Sequence, residues 1–554
     1  MIVLGLSGQY LHDSAACIVI DGRLIAYAEE ERFCLKRHAV GEIPICSILH
    51  CIETQNLSIE DIDCIATSWY PDQVDSNVVE KLRVHPNLKG LKKIPVVSYG
   101  NHLSLAASSY FTSGFNKALI ISANGSSENI STSIYYANQQ ELTAIKAYDV
   151  SQSLGYFYTA VGLYLGFDMW EEGKVMALSA YGNPVYDFPI HITEDGYKID
   201  INNPSGAITN GMMQNWLMLL TRLFGVSVKP SYRYDKNSGT IRKNALEFTQ
   251  LHKDIAASAQ RKLEDVILNL IDYYTKKTGI KNVVITGGVA QNSTANGKIR
   301  NSGIVDEFFI SPASNASGGC IGAAMLAYGT EHKIPVDRIK TAYWGPSFTN
   351  EEIEFELKKR NIEYRYIENI SELAAELISK NYVVGWFQGK SEMGARSLGS
   401  RSIIANPADS NMHSRINNNI KFREAWRPVA ASALDEERDW LLQDSCYIPF
   451  MLETFKATKT AMNQVSSIIH EDGTILAQTV RKEDNPDWYS MILHFYKLTG
   501  IPAVLHTSLN VKGKPICNTP AGAFDTFYSC GLDVLIIGNF IIEKKALLQE
   551  IHTR

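Results

Sequence analysis

The sequence predicts an α/β protein with a duplicated strand pattern followed by a second α/β domain, and three observations carry that expectation. Residues 1–30 read as a strand (IVLGLS), a polar loop and a hairpin, SAACIVIDGRLIAYAEEE, closed at Asp21-Gly22, a dipeptide suited to a tight turn. The same order of strand, glycine-containing turn, strand, turn and strand returns in KALIISANGSSENISTSIYYANQQELTAI, which points to two similar sheets with a cleft between them. The third is size: 554 residues, 45% hydrophobic and 20% charged, supply material for two or three domains of about 100–250 residues each.

The remaining elements follow in chain order. Between about 205 and 275 the segments WLMLLTRLF and DIAASAQRKLEDVILNLIDYYTKKTG space their apolar residues by three and four, so this region is expected to be helical. NVVITGGVAQNSTANGKI then reads as a buried strand, a glycine turn and a polar helix start. Unpaired N–H groups after such a turn suit a nucleotide phosphate or ribose, although a lone GG turn is more often a plain loop. TAYWGPSFTNEEIEFELKKRNIEYRYIEN introduces a charged helix and a new strand, which sets a boundary near 350 and gives domains 1–350 and 351–554. From 371 onward the expectation is a helix, a strand (YVVGWFQG), a basic loop, a strand (PAVLHTSLN) and a last strand over 533–540.

Composition narrows the function classes. A net charge of -6 without an extended basic stripe argues against broad nucleic-acid binding and leaves a small nucleotide open. No apolar run approaches the roughly 20 residues a membrane helix needs, and the start carries no basic leader, so the expected location is cytoplasmic. The nine cysteines are scattered and form no CxxC, which favours buried thiols over disulfides or a zinc site. The thirteen histidines form neither HExxH nor HxxxH.

The most informative stretch is KSEMGARSLGSRSIIANPADSNMHSRINNNIKFREAWRP, in which Lys390, Arg396, Arg401, Arg415, Lys421, Arg423 and Arg427 interrupt a Gly- and Asn-rich run. A charge run is often only a solvated face. Here Gly394, Gly399, Asn417 to Asn419 and the Trp426-Arg427-Pro428 turn argue for a shaped pocket, in which arginine forks and close backbone N–H groups hold phosphates or another small polyanion.

These residues bring the chain to a family. It resembles the NodU/CmcH carbamoyltransferases, which include antibiotic O-carbamoyltransferases of aminoglycoside and cephalosporin pathways, in LHDSAA, DGRLIAYAEEERF, NHLSLAASSYF, SLGYFYTAVGLYLGF, EEGKVMALSAYG, TGGVAQNSTANGK, GWFQGKSEMGARSLGSRSI, REAWRPVAAS and LHTSLNVKGKPI. The resemblance implies an N-terminal actin-like domain of the ASKHA type, related to the universal tRNA threonylcarbamoyladenosine ATPase, followed by a YrdC-like domain. It implies that carbamoyl phosphate and ATP, with Mg, form carbamoyl adenylate in the YrdC-like domain and that the N-terminal domain passes the carbamoyl group to a small-molecule acceptor. By position, Arg396, Lys421, Arg427 and Ser508 match the residues that hold carbamoyl phosphate or nucleotide phosphates, His12 and Asp13 match the transfer-site histidine and its neighbour, and Gly287, Gly288 and Asn292 would carry adenosine contacts. Departing pyrophosphate needs cations and an incoming hydroxyl needs a base, which His12 can be near neutral pH.

The chain also departs from the pattern. The family's iron is held by two histidines of an H-H-L-x-H stretch, an aspartate in a D-G turn and an aspartate before G-x-x-x-G-A-A, and the matching positions here are Asn101, Leu105, Asn124 and Ala316. Leucine and alanine offer no donor atom and asparagine a poor one, so no metal site is expected. An R-x-Q-T-V arginine is Leu476, and L-N-T-S has become Leu505-His506-Thr507-Ser508. Three functions stay open: carbamoyl transfer to a hydroxyl in natural-product biosynthesis, adenylation of a different, carboxylic acid for condensation, and a non-catalytic homologue that binds a nucleotide or partner. The acceptor and the oligomeric state, a homodimer included, are not read from the sequence.

Overall fold

The computed structural model describes residues 1–8, 12–69, 77–201, 210–228, 232–235, 240–243 and 247–544. The chain forms two compact units, one made of Met1–Asn116 with Ile310–Arg554 and the other of Lys117–Phe309.

In the first unit, β1 (Ile2–Ser7), β2 (Ala15–Ile20), β3 (Arg23–Glu29), β4 (Cys64–Thr67) and β5 (Val96–Ser98) lie in the order β3-β2-β1-β4-β5. The first three form an antiparallel meander, and β4 and β5 continue parallel to β1. Asp21 and Gly22 take φ of 50° and 76°, the left-handed backbone a tight hairpin turn requires. Leu4, Leu6, Ala16 and Ile18 build a core with Ile48, Cys51 and Ile52 of helix Ile45–Glu53. On the opposite face, helix Gly319–Gly329 lies so close to β1 that a Cβ on Gly5 would meet the Cys320 carbonyl oxygen at 2.2 Å.

The second unit repeats the plan. Here β6 (Lys117–Ser127), β7 (Ile130–Asn138), β8 (Glu141–Asp149), β9 (Asn282–Thr286) and β10 (Glu307–Ile310) are ordered β10-β9-β6-β7-β8. Again a meander, β6 to β8, is extended by a strand parallel to its first member. Helices Leu154–Tyr164 and Gln250–Thr278 accompany this sheet. Two like sheets of meander-plus-parallel order are the duplicated actin-like arrangement that the sequence repeat predicts. The expected helical stretch of 205–275 is not continuous. Helix Asn210–Phe224 and helix Gln250–Thr278 are separated by a ribbon of Tyr232–Asp235 with Thr240–Lys243, where Tyr, Arg and Thr favour strand and no apolar 3.6-residue stripe exists to bury.

The C-terminal part of the first unit is a nine-stranded mixed sheet. Its strands are β11 (Arg365–Tyr366), β12 (Val384–Phe387), β13 (Arg401–Ala405), β14 (Ala430–Leu434), β15 (Thr454–Lys456), β16 (Thr474–Val480), β17 (Ala503–Ser508), β18 (Val534–Ile537) and β19 (Phe540–Glu543), ordered β11-β19-β18-β12-β13-β17-β14-β16-β15. The charged helix expected before it is Asn350–Lys359, opened by a Thr349–Glu352 capping box. Helices Ile370–Ser379 and Pro486–Thr499 bury Ala374, Ile378, Trp488 and Phe495 in one large core with Trp386, Ile403 and Val504. The basic stretch is not the single loop expected: Lys390 and Arg396 lie between β12 and β13 at the middle of this sheet, Arg401 opens β13, and Arg415, Lys421, Arg423 and Arg427 lie between β13 and β14. All nine cysteines are free, and six are buried; Cys46 is exposed and Cys34 and Cys446 are half-buried, so the expectation of buried thiols holds for six of them.

Candidate functional site

The basic loop resolves into two kinds of cation. Arg401 is 0% exposed: its guanidinium lies 3.6 Å from the centre of the Phe387 ring and donates to the carbonyls of Gln388, Ser400, Pro346 and Gly389 at 2.8–3.1 Å. Arg415 donates to Asp533 at 2.6 Å and to the Asn381 carbonyl at 2.9 Å. Both hold the fold together, which corrects the expectation that the whole run faces an anion.

Arg396, Lys421, Arg423 and Arg427 gather closely enough to act on one another's charge, with Glu424 as an acid that acts on Arg423. Burial and the nearby Arg427 pull Arg396 down to about 10, and its Nε is buried with no hydrogen-bond partner among the described residues. Burial, then Arg427, brings Arg423 to about 9; its Nε donates to Asn417 Oδ1 at 2.6 Å and Nη2 to the Pro428 carbonyl at 3.0 Å. Lys421 is 4% exposed, and burial followed by Arg423 and Arg427 drives its ammonium well below the usual lysine range. Its Nζ donates to Ser508 Oγ at 3.1 Å, to Asn510 Oδ1 at 2.5 Å and to the carbonyls of Ser508 and Asn510 at 2.7 and 2.8 Å. The structure thus brings Arg396, Lys421, Arg427 and Ser508 into one electrostatic neighbourhood, with Arg423 as a member the sequence named only as part of the run. Like charges that depress one another mark a place where an anion is favoured.

The loop that presents Arg396 is fixed from below. Glu392 Oε1 accepts from the backbone N–H groups of Leu398, Ser400 and Arg401 at 2.9, 2.6 and 3.0 Å. Gly394, at φ 83°, passes so near Pro312 that a Cβ would meet its carbonyl oxygen at 2.0 Å. Ser397 and Ser402 meet His506 Nε2 at 3.2 and 2.8 Å, and Ser432 meets its Nδ1 at 2.7 Å.

At the start of β2, His12 Nδ1 lies 3.0 Å from Asp13 Oδ2, and His38 Nδ1 lies 2.9 Å from Asp13 Oδ1. Burial would raise the Asp13 carboxyl, but hydrogen bonds from His12 and His38, and then their charges, hold it well below the usual carboxylate range. His38 is 25 residues from Asp13, and no motif spacing announces it.

In the second unit the GG turn is as expected at Gly287, whose φ is 89° and whose Cβ would meet the Ala123 carbonyl oxygen at 2.3 Å. Gly288 N–H donates to Asn124 Oδ1 at 2.6 Å. Asn292 caps helix Ser293–Arg300 through the Ala295 N–H at 3.0 Å and pairs with Gln260 at 2.9 and 3.0 Å. Its side chain therefore has structural work besides any ligand contact.

The four positions matched to metal ligands do not suit a metal. Leu105 is 0% exposed in the core, Ala316 opens a short turn, Asn101 begins helix Asn101–Phe111, and the Asn124 oxygen is engaged by Gly288. Among the described residues no group of three or more His, Cys, Asp or Glu side chains is arranged to hold an ion.

Comparison with known proteins agrees over nearly the whole chain. Residues 2–89 and 77–325 match the family profile described as carbamoyltransferase N-terminus, and residues 375–544 the profile described as carbamoyltransferase C-terminus. The chain is 33% identical to nodulation protein NolNO of Sinorhizobium fredii, covering 100% of this chain and 82% of that protein. It is 31% identical to nodulation protein NolO of Bradyrhizobium diazoefficiens over 81% of this chain and 80% of the other, and 25% identical to nodulation protein U of Sinorhizobium fredii over 92% and 94%. Among solved structures, T. kodakarensis HypF superposes with a TM-score of 0.38 at 12% identity, covering 60% of this chain and 49% of that one, too loosely to decide anything about the site.

Proposed function

The chain belongs to the carbamoyltransferase family and is a transferase, and from that premise we propose that it is an ATP-dependent carbamoyltransferase of small-molecule biosynthesis working through carbamoyl adenylate. The observation that carries the reading is the cluster of buried Lys421 with half-buried Arg396, Arg423 and Arg427, whose mutual repulsion an anionic donor would relieve. Domains 1–350 and 351–554 divide the work, the second forming the adenylate and the first transferring the carbamoyl group.

In the donor domain the Arg396 and Arg427 guanidiniums and the Lys421 ammonium hold phosphate oxygens, with Lys421 aimed by Ser508 and Asn510. ATP, with Mg as its counter-ion, would supply the adenylyl group, and Arg396, Lys421 and Arg427 would stabilise the charge that develops on the departing pyrophosphate. Gly287, Gly288 and Asn292 would carry contacts to the adenosine of the intermediate. In the transfer step Asp13 orients His12, whose Nε2 takes the acceptor hydroxyl proton. No step runs through iron, since the residues at the four ligand positions do not fit it.

A second reading keeps adenylation and changes the acid, and Leu476 favours it. This residue is half-buried on β16 opposite Thr454 and puts an apolar side chain where the resemblance implies a phosphate-binding arginine. The test is pyrophosphate release from ATP by the purified, metal-stripped protein resupplied with Mg. Release that requires carbamoyl phosphate supports the carbamoyltransferase; release that ignores carbamoyl phosphate and requires a carboxylic acid supports the second reading; no release with either overturns both.

A further inference from the structure

We infer that His38 is a second imidazole of the transfer site, a positioning residue that grips Asp13 jointly with His12 and so sets how the carboxylate orients and supports His12; this rests on the transfer role proposed for His12. The geometry is specific. Each ring reaches a different carboxylate oxygen through Nδ1, at 3.0 Å from His12 and 2.9 Å from His38. An ionised carboxylate only accepts, so each Nδ1 carries a proton and Nε2 is the basic nitrogen of both rings.

The backbone is bent to make this meeting. Asp13 and His38 are non-glycine residues at φ 56° and 62°, and Ala39 follows at 44°. Such conformations are disfavoured for side-chain-bearing residues and persist where surroundings enforce them, typically at working sites. The enforcement is visible: Asp13 N–H donates to the His38 carbonyl at 2.6 Å, His38 N–H to Glu31 Oε2 at 2.7 Å, and Ser14 Oγ to the Glu42 carbonyl at 2.6 Å. Gly8, at φ 92°, admits the approach, since a Cβ there would meet the Ser14 nitrogen at 2.4 Å. Asp13 meets the His38 ring and Glu31 its backbone N–H; His12 meets the same Asp13, Arg32 lies 3.8 Å from Glu31, and Lys36, two residues before His38, pairs with Glu42.

The consequence lies in the transfer step. As the acceptor oxygen attacks the carbamoyl carbon, the new C–O bond forms and its proton passes to His12 Nε2. The oxyanion's electron pair then returns to re-form the carbonyl, the C–O bond to phosphate breaks, and AMP leaves with the electrons of that broken bond. Asp13 stabilises the His12 imidazolium, and His38, drawing on the other oxygen, shares out the same negative charge. His38 therefore holds His12 at a lower proton affinity than Asp13 alone would give it, while keeping Asp13 ionised and aligned.

The experiment uses full-length protein with [13C]-histidine labelling and three variants, His38→Ala, His38→Asn and His38→Gln. An asparagine amide sits near the place of Nδ1 and keeps the hydrogen bond to Asp13, whereas a glutamine amide sits near Nε2. The titration of His12 Cε1–H is followed by NMR, and the pH profile of transfer and pyrophosphate release are measured in parallel. The expected result is that His38→Ala and His38→Gln raise the His12 midpoint by about 0.5–1 pH unit and slow transfer about tenfold, with pyrophosphate release unchanged, while His38→Asn stays near wild type in both. An unmoved His12 midpoint in His38→Ala and His38→Gln, or His38→Asn matching His38→Gln, overturns the proposal. Should His38→Ala fail to fold, the asparagine and glutamine pair decides. A wild type that neither releases pyrophosphate nor transfers carbamoyl sinks the carbamoyl reading, and the NMR titration still decides whether His38 governs His12.

Discussion

Arg32 donates from Nη2 to the Gly394 carbonyl at 2.6 Å, tying the turn after β3 to the loop that presents Arg396. Arg32 is 4% exposed and its only close carboxylate partners among the described residues are Glu29, at 3.3 Å, and Glu31, at 3.8 Å. Glu29 is itself buried; burial raises its carboxyl, and the Arg32 charge opposes that rise. Arg32→Ala removes one partner of a buried pair, so a loss of about 3–5 kcal/mol of stability is expected, together with weaker donor binding. Adding Glu29→Gln to Arg32→Met removes both charges and is expected to recover most of the stability but not donor binding, because the Gly394 tie stays broken. Denaturant unfolding and the KM for carbamoyl phosphate in pyrophosphate release check the two arms; recovery of both would show that the tie to Gly394 does not matter.

Lys421 gives a prediction of proton uptake. Its ammonium is held well below the usual lysine range first by burial and then by Arg423 and Arg427, so an incoming phosphate, by cancelling that repulsion, raises its proton affinity. Pyrophosphate binding is therefore expected to take up protons at pH values below the usual lysine range and to raise the melting temperature. Calorimetry in buffers of different ionisation enthalpy measures the uptake. Lys421→Met should reduce it, leaving the share of Arg396 and Arg423, and Arg427→Met should weaken pyrophosphate binding by about 10- to 100-fold, the range for one charge-assisted contact.

The repeated strand pattern was legible because both meanders consist of short runs of strand-forming residues separated by their own turn residues, Asp21-Gly22 among them. The middle of the C-terminal sheet was not: β14, AASAL, is buried along its whole length, so it has neither alternation nor bulky β-formers to mark it. The cation cluster could be seen as a count of residues. That Arg401 and Arg415 face carbonyls and Asp533 depends on segments 12 to 118 positions away, and His38 meets Asp13 only because two bent loops cross.

Asn124 occupies a position matched to a metal-binding aspartate and here serves as a clasp, its Oδ1 accepting from Gly288 N–H at 2.6 Å where β6 shifts register between Ala123 and Ser127. Asn124→Ala leaves that N–H without its acceptor and is expected to cost about 1–3 kcal/mol and to weaken nucleotide binding. Iron measured by elemental analysis is expected to be far below one per chain in the wild type, and to remain so in Asn124→Asp, because one restored oxygen does not make a ligand set. Stoichiometric iron in the wild type would refute the proposal that the metal was lost.

His506 makes stability depend on pH in a direction that can be derived. It is 0% exposed, and burial, with Lys421 nearby, pulls it from the ordinary 6.5 to about 3. The hydrogen bonds explain why the neutral ring is kept. Gln478 Nε2 donates to the Leu398 carbonyl at 3.0 Å, which leaves Gln478 Oε1 to accept from Ser432 at 2.8 Å. Ser432 has then given its proton away, so His506 Nδ1 donates to it at 2.7 Å, and Nε2 must accept from Ser402 at 2.8 Å. A second ring proton at Nε2 would meet a hydroxyl already oriented to donate. Between pH 6.5 and about 3 the unfolded chain binds a proton that the folded chain refuses, so stability falls as pH falls through this window. At pH 5 the loss attributable to His506 is about 2 kcal/mol, from about 1.4 kcal/mol per pH unit. His506→Asn, which does not titrate, is expected to be less stable at pH 7 because it leaves a cavity, yet to show a shallower decline of unfolding free energy from pH 6.5 to 4.5, by about one proton. Equal slopes for wild type and His506→Asn would mean that the ring is protonated in the fold, and the deduced order of donors from Gln478 to Ser402 would be wrong.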